Sequence, residues 1–380
     1  MKKVLLVTTV SGFVPQFEMN NVKYLQSIGY EVHYATNYNN PYYDIDNHRL
    51  DGTGIIRHQI DFSRSPYSKQ TIVAYKQLKK VMSDNQYDLV HCHTPMGAAL
   101  SRIVAKTTDT KPVIYTAHGF YFYKGAPIRN ILIYKTIEKW LAHYTDALIT
   151  INQEDLAAAQ KFKMRENKKI YYIPGVGIDV KRYQDTVVDR KKKREELGVP
   201  LDAFVLLSVG ELNYNKNQQV VIRALSECNN KKLIYLICGR GPFRNKLEKL
   251  KDQLNLKDQI KFLGFRKDIP EIMKASDVFI HPSKWEGLPL SIMEAMACGL
   301  PVIASNIRGS SDLISNEING KCCKPEDINQ FVEAIKGLYE KPDICKHMKE
   351  NNLKKIKDFD VSICTKKMIK IYQEVMSKYA

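Results

Sequence analysis

His281-Pro-Ser-Lys-Trp-Glu-Gly-Leu-Pro-Leu-Ser-Ile-Met-Glu-Ala-Met-Ala-Cys-Gly-Leu-Pro-Val-Ile-Ala-Ser305 runs strand, loop, helix, turn, strand. The apolar residues 278–281 just before the loop read as a buried parallel strand, and residues 301–304 as the next one. Gly287, Leu288 and Pro289 open the helix between them. The first backbone N–H groups of a helix have no intrahelical partner, so this opening suits a phosphate or a sugar oxygen. Glu286 lies in the loop and Glu294 follows eight positions later in the helix. A loop carboxylate beside a helix N-terminus can accept sugar hydroxyls. A carboxylate two turns further along can face the same side and take a vicinal diol.

The same alternation extends in both directions from this segment. Upstream, 204–209, 233–238 and 259–262 read as strands, with a helix near 218–227 and the turn Gly239-Arg240-Gly241-Pro242 after the second strand. An earlier set reads 3–10, 31–36, 87–92, 112–117 and 147–151, with helices over 15–28, 68–83, 97–106 and 128–143. Strands alternating with helices imply parallel sheets covered on both faces. The expectation is an α/β protein of two successive Rossmann-like domains, 1–180 and 181–360. The polar stretch from Asp189 begins a solvated helix after the linker, and 361–380 forms a helix crossing back to the first domain. Ligands of such sheets bind at the carboxyl ends of the strands. That rule selects Ser11-Gly12, His91 and His93, His118-Gly119, residues 211–217, Gly239–Gly241 and the loop 282–289.

Composition narrows the classes. The chain has 380 residues, 44% hydrophobic and 26% charged, which is enough for two cores without staples. Its eight cysteines form no C-x-x-C pair and read as reduced thiols, not metal ligands. Val4 to Val10 is too short for a membrane span, and no signal peptide is read. Net charge is +17, with +7 on residues 1–180 and +10 on the rest, so the excess is not confined to a tail. Nucleic acid, anionic phospholipid and a phosphorylated substrate could each use it. Zinc-finger and RNA-binding signatures are absent, so no nucleic-acid partner is expected.

The Glu286–Glu294 segment resembles the E-x7-E signature of retaining glycosyltransferases of family 4, which have the two-domain GT-B fold with a deep interdomain cleft. The spacing, the Gly-Leu-Pro, the Glu-Ala-Met-Ala-Cys-Gly helix end and the Pro-Val-Ile-Ala-Ser strand all agree. Asp88-Leu-Val-His-Cys-His and Thr116-Ala-His-Gly resemble further family motifs, and Ser11-Gly12 looks like its first glycine loop. Within the family, Thr116 through Pro127 looks most like bacterial enzymes that build surface glycans on undecaprenyl diphosphate. The resemblance implies an acceptor-binding first domain and a nucleotide-sugar-binding second domain. It implies that Glu286 contacts donor-sugar hydroxyls, Glu294 holds the ribose, and Gly287, Leu288 and Pro289 present backbone to sugar or diphosphate. Lys216 would pair with the diphosphate, His118 would lie beside the donor sugar, Gly12 would admit the diphosphate, and Gly239 and Arg240 would sit near the base or its ribose. The implied reaction transfers a hexose or N-acetylhexosamine from a UDP-sugar to a lipid-linked saccharide, without metal or other cofactor. The same fold also hosts nucleotide-sugar epimerases. Two departures stand out: Glu211 replaces the family's usual arginine in Gly-Arg-Leu, and the turn Asn306–Asp312 lacks the usual Gly-Gly and Glu. That turn reads as structural or as facing the acceptor.

Other features receive plainer expectations. His91 and His93 are assigned to opposite faces of their strand, one toward ligand and one into the core. Asp44-Ile-Asp46 spells a metal motif of another glycosyltransferase fold but lies in a Tyr/Asn/Pro-rich loop, so no metal is expected there. Gly119-Phe-Tyr-Phe-Tyr123-Lys124-Gly-Ala-Pro127 is aromatic and ends in a cation. With Lys135, Lys139 and Trp140 it suggests an acceptor-facing or anionic-membrane face. The expected location is cytoplasmic, peripheral at the inner face of the plasma membrane.

Overall fold

The computed structural model describes residues 1–39, 47–65, 67–164 and 169–379. The chain forms two compact units, one of Met1–Val176 with Ser362–Ala380 and the other of Gly177–Val361.

The first unit is built on seven parallel strands: β1 (Lys2–Val7), β2 (Tyr30–Thr36), β3 (Ile56–Gln59), β4 (Leu89–His93), β5 (Val113–Ala117), β6 (Ala147–Thr150) and β7 (Lys169–Tyr172). Their order is β3-β2-β1-β4-β5-β6-β7. The central strand β1 buries Val4, Leu5, Leu6 and Val7 completely, each worth roughly 1.5–3 kcal/mol over an exposed side chain. The second unit repeats the pattern with β8 (Phe204–Val209), β9 (Leu233–Cys238), β10 (Ile260–Gly264), β11 (Val278–His281), β12 (Val302–Ser305) and β13 (Gly320–Cys323). Their order is β10-β9-β8-β11-β12-β13. Apolar clusters pack on both faces of this second sheet: Phe279, Ile292 and Met296 belong to one, Ile280, Val221 and Phe331 to the other.

In both sheets the chain direction of winding reverses once, between β1 and β4 and between β8 and β11. At such a reversal the two loops leaving the carboxyl ends diverge and open a crevice. The loops so selected are those after Val7, His93, Val209 and His281.

Several elements differ from expectation. The helix read over 15–28 is two, Phe13–Phe17 and Met19–Ser27, interrupted at Glu18, whose φ of −116° leaves the helical range. The break turns the Glu18 carboxylate into the protein, where it is 3% exposed. The helix Arg190–Glu196, capped by Asp189, is not simply solvated. Arg194 is 5% exposed and donates to the Ala275, Leu201 and Ala203 carbonyls and to Asp277. Strands β3, β7 and β13, at sheet edges, have no counterpart in the sequence reading. The C-terminal helix Val361–Met376 begins at the boundary of the units and continues in the first, where Tyr372 reaches His91. All eight cysteines are free thiols.

Candidate active site

In the second unit the loops after β8 and β11 are fastened together by asparagines. Asn217, itself at φ 52°, donates to the Pro282 and Pro325 carbonyls at 3.1 and 2.7 Å. Asn215 donates to the Trp285 carbonyl at 3.0 Å, and accepts from the Trp285 amide at 3.0 Å. Asn213 accepts from the Lys216 amide at 2.9 Å. The result fixes Lys216 beside Glu286, with Nζ donating to Oε1 at 2.6 Å. His281, the last residue of β11, places Nε2 3.2 Å from the same carboxylate oxygen and 3.0 Å from the Ser283 hydroxyl.

Charge orders this cluster. Burial alone pushes the Glu286 carboxyl up, but Lys216 and the His281 hydrogen bond together outweigh it and hold the group well below the usual carboxylate range. Burial lowers His281, against the pull of Glu286. The carboxylate is therefore ionised and the imidazole neutral at physiological pH. The helix Leu290–Ala297 begins at Pro289 with no side chain capping it, so its leading N–H groups are available to an anion.

The turn after β12 props this loop. Arg308 Nε donates to the Glu286 carbonyl at 2.9 Å. Gly309 lies so close that a Cβ there would stand 2.2 Å from the Gly287 carbonyl oxygen. The Asn306–Asp312 turn thus supports the loop carrying Glu286. A similar contact explains Gly239. At φ 145° it backs onto the preceding loop, where a Cβ would fall 1.8 Å from the Gly210 oxygen. Its need for glycine is met by chain-to-chain approach, without invoking a ligand. Arg240 is exposed, its guanidinium 5.6 Å from the Phe265 ring centre. Glu211 is exposed as well, and its carboxylate accepts from Asn213 at 3.0 Å. Glu294 accepts from the Tyr183 hydroxyl at 2.6 Å, and burial raises its carboxyl against that hydrogen bond.

In the first unit strand β4 and the segments after β1 and β5 gather three histidines and a carboxylate. His91 and His93 share one face, with ring centres 4.1 Å apart. This corrects the expected opposition, since residues two apart in a strand point the same way. His91 bonds the Tyr372 and Thr116 hydroxyls at 2.7 and 2.9 Å, so it is tied into the fold. His93 Nδ1 lies 3.2 Å from His118 Nε2 and 3.7 Å from Glu18 Oε1. Glu18 also accepts from Asn21 at 2.6 Å, and burial raises its carboxyl to about 7. Phe13 sets its ring edge-on to His118 at 4.9 Å. Glu18, Thr116 and His118 line a cavity of about 20 Å³, the size of one water. Gly12 is buried at φ −70°, an ordinary right-handed conformation, so its glycine character is not demanded by the backbone.

Glu18, His93 and His118 offer ligand atoms within 4.8 Å of one another, a donor set a transition metal could use. A ligating imidazole ordinarily donates its second N–H to a neighbour, whereas the buried Nε2 of His93 has no hydrogen-bond partner. The acceptor that would orient a ligating imidazole is therefore missing at His93. Asp44 and Asp46 lie outside the described residues.

Phe120 and Phe122 stack on each other at 4.7 Å and enter the core, so the aromatic run after β5 divides. Tyr121 stays 49% exposed, and the Lys124 amide donates to Glu154 at 2.7 Å. Tyr123 is half-buried, and Lys124 is exposed. On the helix Ile128–Ala142, Ile128, Leu132, Ile133, Ile137 and Trp140 face solvent together with Arg129 and Lys139. Among the described residues no helix is long and apolar enough to cross a membrane.

Glu18 and Tyr183 were given no site role by the sequence, whereas the asparagines of 213–217 lie in the segment 211–217 selected after its strand, and Arg308 lies in the turn read as structural or as facing the acceptor.

Similarity to known proteins extends over most of the chain. Residues 189–355 match the family model described as glycosyl transferases group 1, and residues 3–152 match glycosyl transferase 4-like. The chain is 35% identical to EpsD of Bacillus subtilis (strain 168), a protein named provisionally as a glycosyltransferase, over 99% of this chain and 97% of that one. It is 36% identical to the UDP-Gal:alpha-D-GlcNAc-diphosphoundecaprenol alpha-1,3-galactosyltransferase of Escherichia coli, over 70% of this chain and 69% of that one. The fold is similar to that of Anabaena HepE, solved in complex with UDP, with a TM-score of 0.80 at 22% identity, covering 98% of this chain and 100% of that one.

Proposed function

The chain belongs to the group 1, or family 4, glycosyltransferases of GT-B fold, and from that premise we propose that it moves a hexose or N-acetylhexosamine, with retention, from a UDP-sugar to a saccharide on a polyprenyl diphosphate. The observation that carries the donor half is the ionised Lys216–Glu286 pair, at 2.6 Å, beside the uncapped start of the helix Leu290–Ala297. A leaving diphosphate gains negative charge as the anomeric bond breaks, and fixed cations and N–H groups stabilise that charge without reorganising. Lys216 supplies the cation, and Gly287, Leu288 and the first turn of the helix supply the N–H groups, while Pro289, which has none, presents its backbone at the helix start. Glu286 takes a sugar hydroxyl, Glu294 the ribose diol, His118 a further sugar oxygen, and Gly12, Gly239 and Arg240 flank the nucleotide. The acceptor oxygen bonds to the anomeric carbon on the face the phosphate leaves, and its proton passes to the departing phosphate oxygen.

Support for the acceptor comes from relatives. The Escherichia coli relative acts on a diphosphoundecaprenol-linked sugar, and so does a Campylobacter jejuni N-acetylgalactosaminyltransferase 24% identical over 83% of this chain and 85% of that one. Such an acceptor lies in a membrane, and the apolar and basic outer face of the helix Ile128–Ala142, with Tyr121, Tyr123 and Lys124 nearby in sequence, suits peripheral binding at an anionic surface.

The reaction is proposed to need no metal, since Lys216 supplies the cation and His93 lacks the support a ligand would have. Thermal stabilisation across UDP, GDP and ADP and their sugars tests the donor. A shift with UDP and one UDP-sugar is expected. A shift confined to GDP or ADP overturns the base, and none at all overturns the donor reading. Transfer should continue at an unchanged rate in EDTA; loss that added divalent ion restores would make Asp44 and Asp46, or Glu18, His93 and His118, metal ligands.

A further inference from the structure

The hydrogen bond between two imidazoles in the first unit determines which proton His118 carries. His93 Nδ1 and His118 Nε2 are 3.2 Å apart, so one of the two atoms bears the hydrogen and the other accepts it. Burial drives His93 well below the ordinary histidine range and His118 down to about 4, so both rings are neutral and each carries one N–H. His93 is wholly buried, and its Nε2 has no hydrogen-bond partner.

Two arrangements exist. With the proton on His93 Nε2, a buried N–H would have no acceptor, a situation folded proteins almost never tolerate. With the proton on His93 Nδ1, that N–H donates to His118 Nε2 and only a lone pair is left unmatched. Glu18 Oε1, 3.7 Å from His93 Nδ1, favours the proton at that atom too. His118 Nε2 is then the acceptor, and the single proton of His118 sits on Nδ1.

The His93 ring is held where this requires. Thr94, at φ 61°, directly follows it, and its hydroxyl takes the Thr9 amide at 2.9 Å and meets the Thr9 hydroxyl at 2.8 Å. A non-glycine residue in that conformation persists only where its surroundings over-determine it. The His91 and Phe13 rings stand 4.1 and 5.3 Å from His93, centre to centre.

We propose that His93 is a positioning residue that fixes His118 as its Nδ1–H tautomer, so that His118 meets the donor sugar as a hydrogen-bond donor and not as a base. The sugar in that statement rests on the proposed function; the tautomer does not. A donor at this point polarises or anchors a sugar oxygen, and the acceptor proton goes to the phosphate.

Long-range proton–nitrogen NMR of the full-length 15N-labelled protein reads the tautomer directly, with His118→Gln identifying the resonances. His118 should show a protonated Nδ1 and an unprotonated Nε2. His93→Asn, whose amide can donate from the place of Nδ1, should keep that pattern and turnover within a few-fold. His93→Leu should release His118 toward the Nε2–H form and lower kcat by at least about tenfold with little change in the KM for the nucleotide sugar. A wild-type spectrum with His118 protonated on Nε2 overturns the inference, and needs no variant to fold. An unchanged His118 tautomer in folded His93→Leu overturns it also. The expected tautomer in a protein that no UDP-sugar stabilises would uphold His93's role and remove the donor reading alone.

Discussion

At the scale of single residues, the proposed chemistry turns on how Lys216 and Glu286 share one buried place. Lys216→Met removes the largest influence holding the Glu286 carboxyl down and leaves burial opposed only by His281. In the wild type the folded value lies below the unfolded one. The pair's contribution to stability is therefore present above the ordinary carboxylate range and lost only as pH falls through the depressed folded value. In the variant, Glu286 should titrate higher, so donor affinity that is flat from pH 8 to 5 in the wild type should weaken within that window. Turnover at neutral pH should drop by roughly 10²–10³, the usual loss for one stabilising contact to a developing anion. Calorimetric titration across pH with the UDP-sugar, whose diphosphate has no group titrating in that window, beside initial rates, measures both. A flat pH profile in the variant would mean that Lys216 does not set the state of Glu286.

At the scale of elements, the helix Ile128–Ala142 is held by a contact the sequence does not display. Glu138 accepts two hydrogen bonds from Arg102, at 2.8 and 3.2 Å, and Arg102 is 1% exposed with its guanidinium 4.1 Å from the Tyr115 ring centre. Glu138→Ala strands a buried cation, and breaking such a pair costs roughly 3–5 kcal/mol. Denaturant unfolding should show that loss, while Glu138→Gln, which still accepts, should lose less. Equal stability of all three proteins would make the pair incidental. Elements of this kind mark what the sequence could and could not reveal. The central strands were legible because burial on both faces makes them continuous apolar runs: Phe204–Val209, Leu233–Cys238 and Val278–His281 have the bounds read from the sequence. Three of the four edge strands were not. Ile56–Gln59 is Ile-Arg-His-Gln and mostly exposed, and it pairs on one side only, so nothing in its composition sets it apart from a loop. The site divided in the same way. Glu286 and Glu294 stand in a dense local motif. Glu18 is 75 residues from His93 in the chain, and only the interruption of a helix brings its carboxylate there. His93 was misassigned by its strand face, and no pattern marks Arg308 as the support of the Glu286 carbonyl.

At the scale of the whole molecule, the net charge of +17 acts together with an exposed apolar stripe. Charge spread over the chain draws a protein toward an anionic surface over about 10 Å at 0.1 M salt and is screened as salt rises. Apolar side chains act only on contact, and salt does not screen them. The two contributions therefore separate in one experiment with vesicles of mixed anionic and neutral lipid. Wild-type partitioning should weaken with added salt but level off at a residual value. Combined replacement of Ile128, Leu132 and Trp140, which are 76%, 65% and 50% exposed, by serine should remove that residue. Each loss from the bilayer forfeits on the order of 1 kcal/mol or more, so the partition coefficient should fall by more than about tenfold at every salt concentration. UDP-induced stabilisation should be unaffected, since none of the three belongs to the donor site. If the triple variant partitions as the wild type does, the stripe does not contribute to vesicle binding, and the salt-dependent part alone would have to serve the proposed approach to a lipid-linked acceptor.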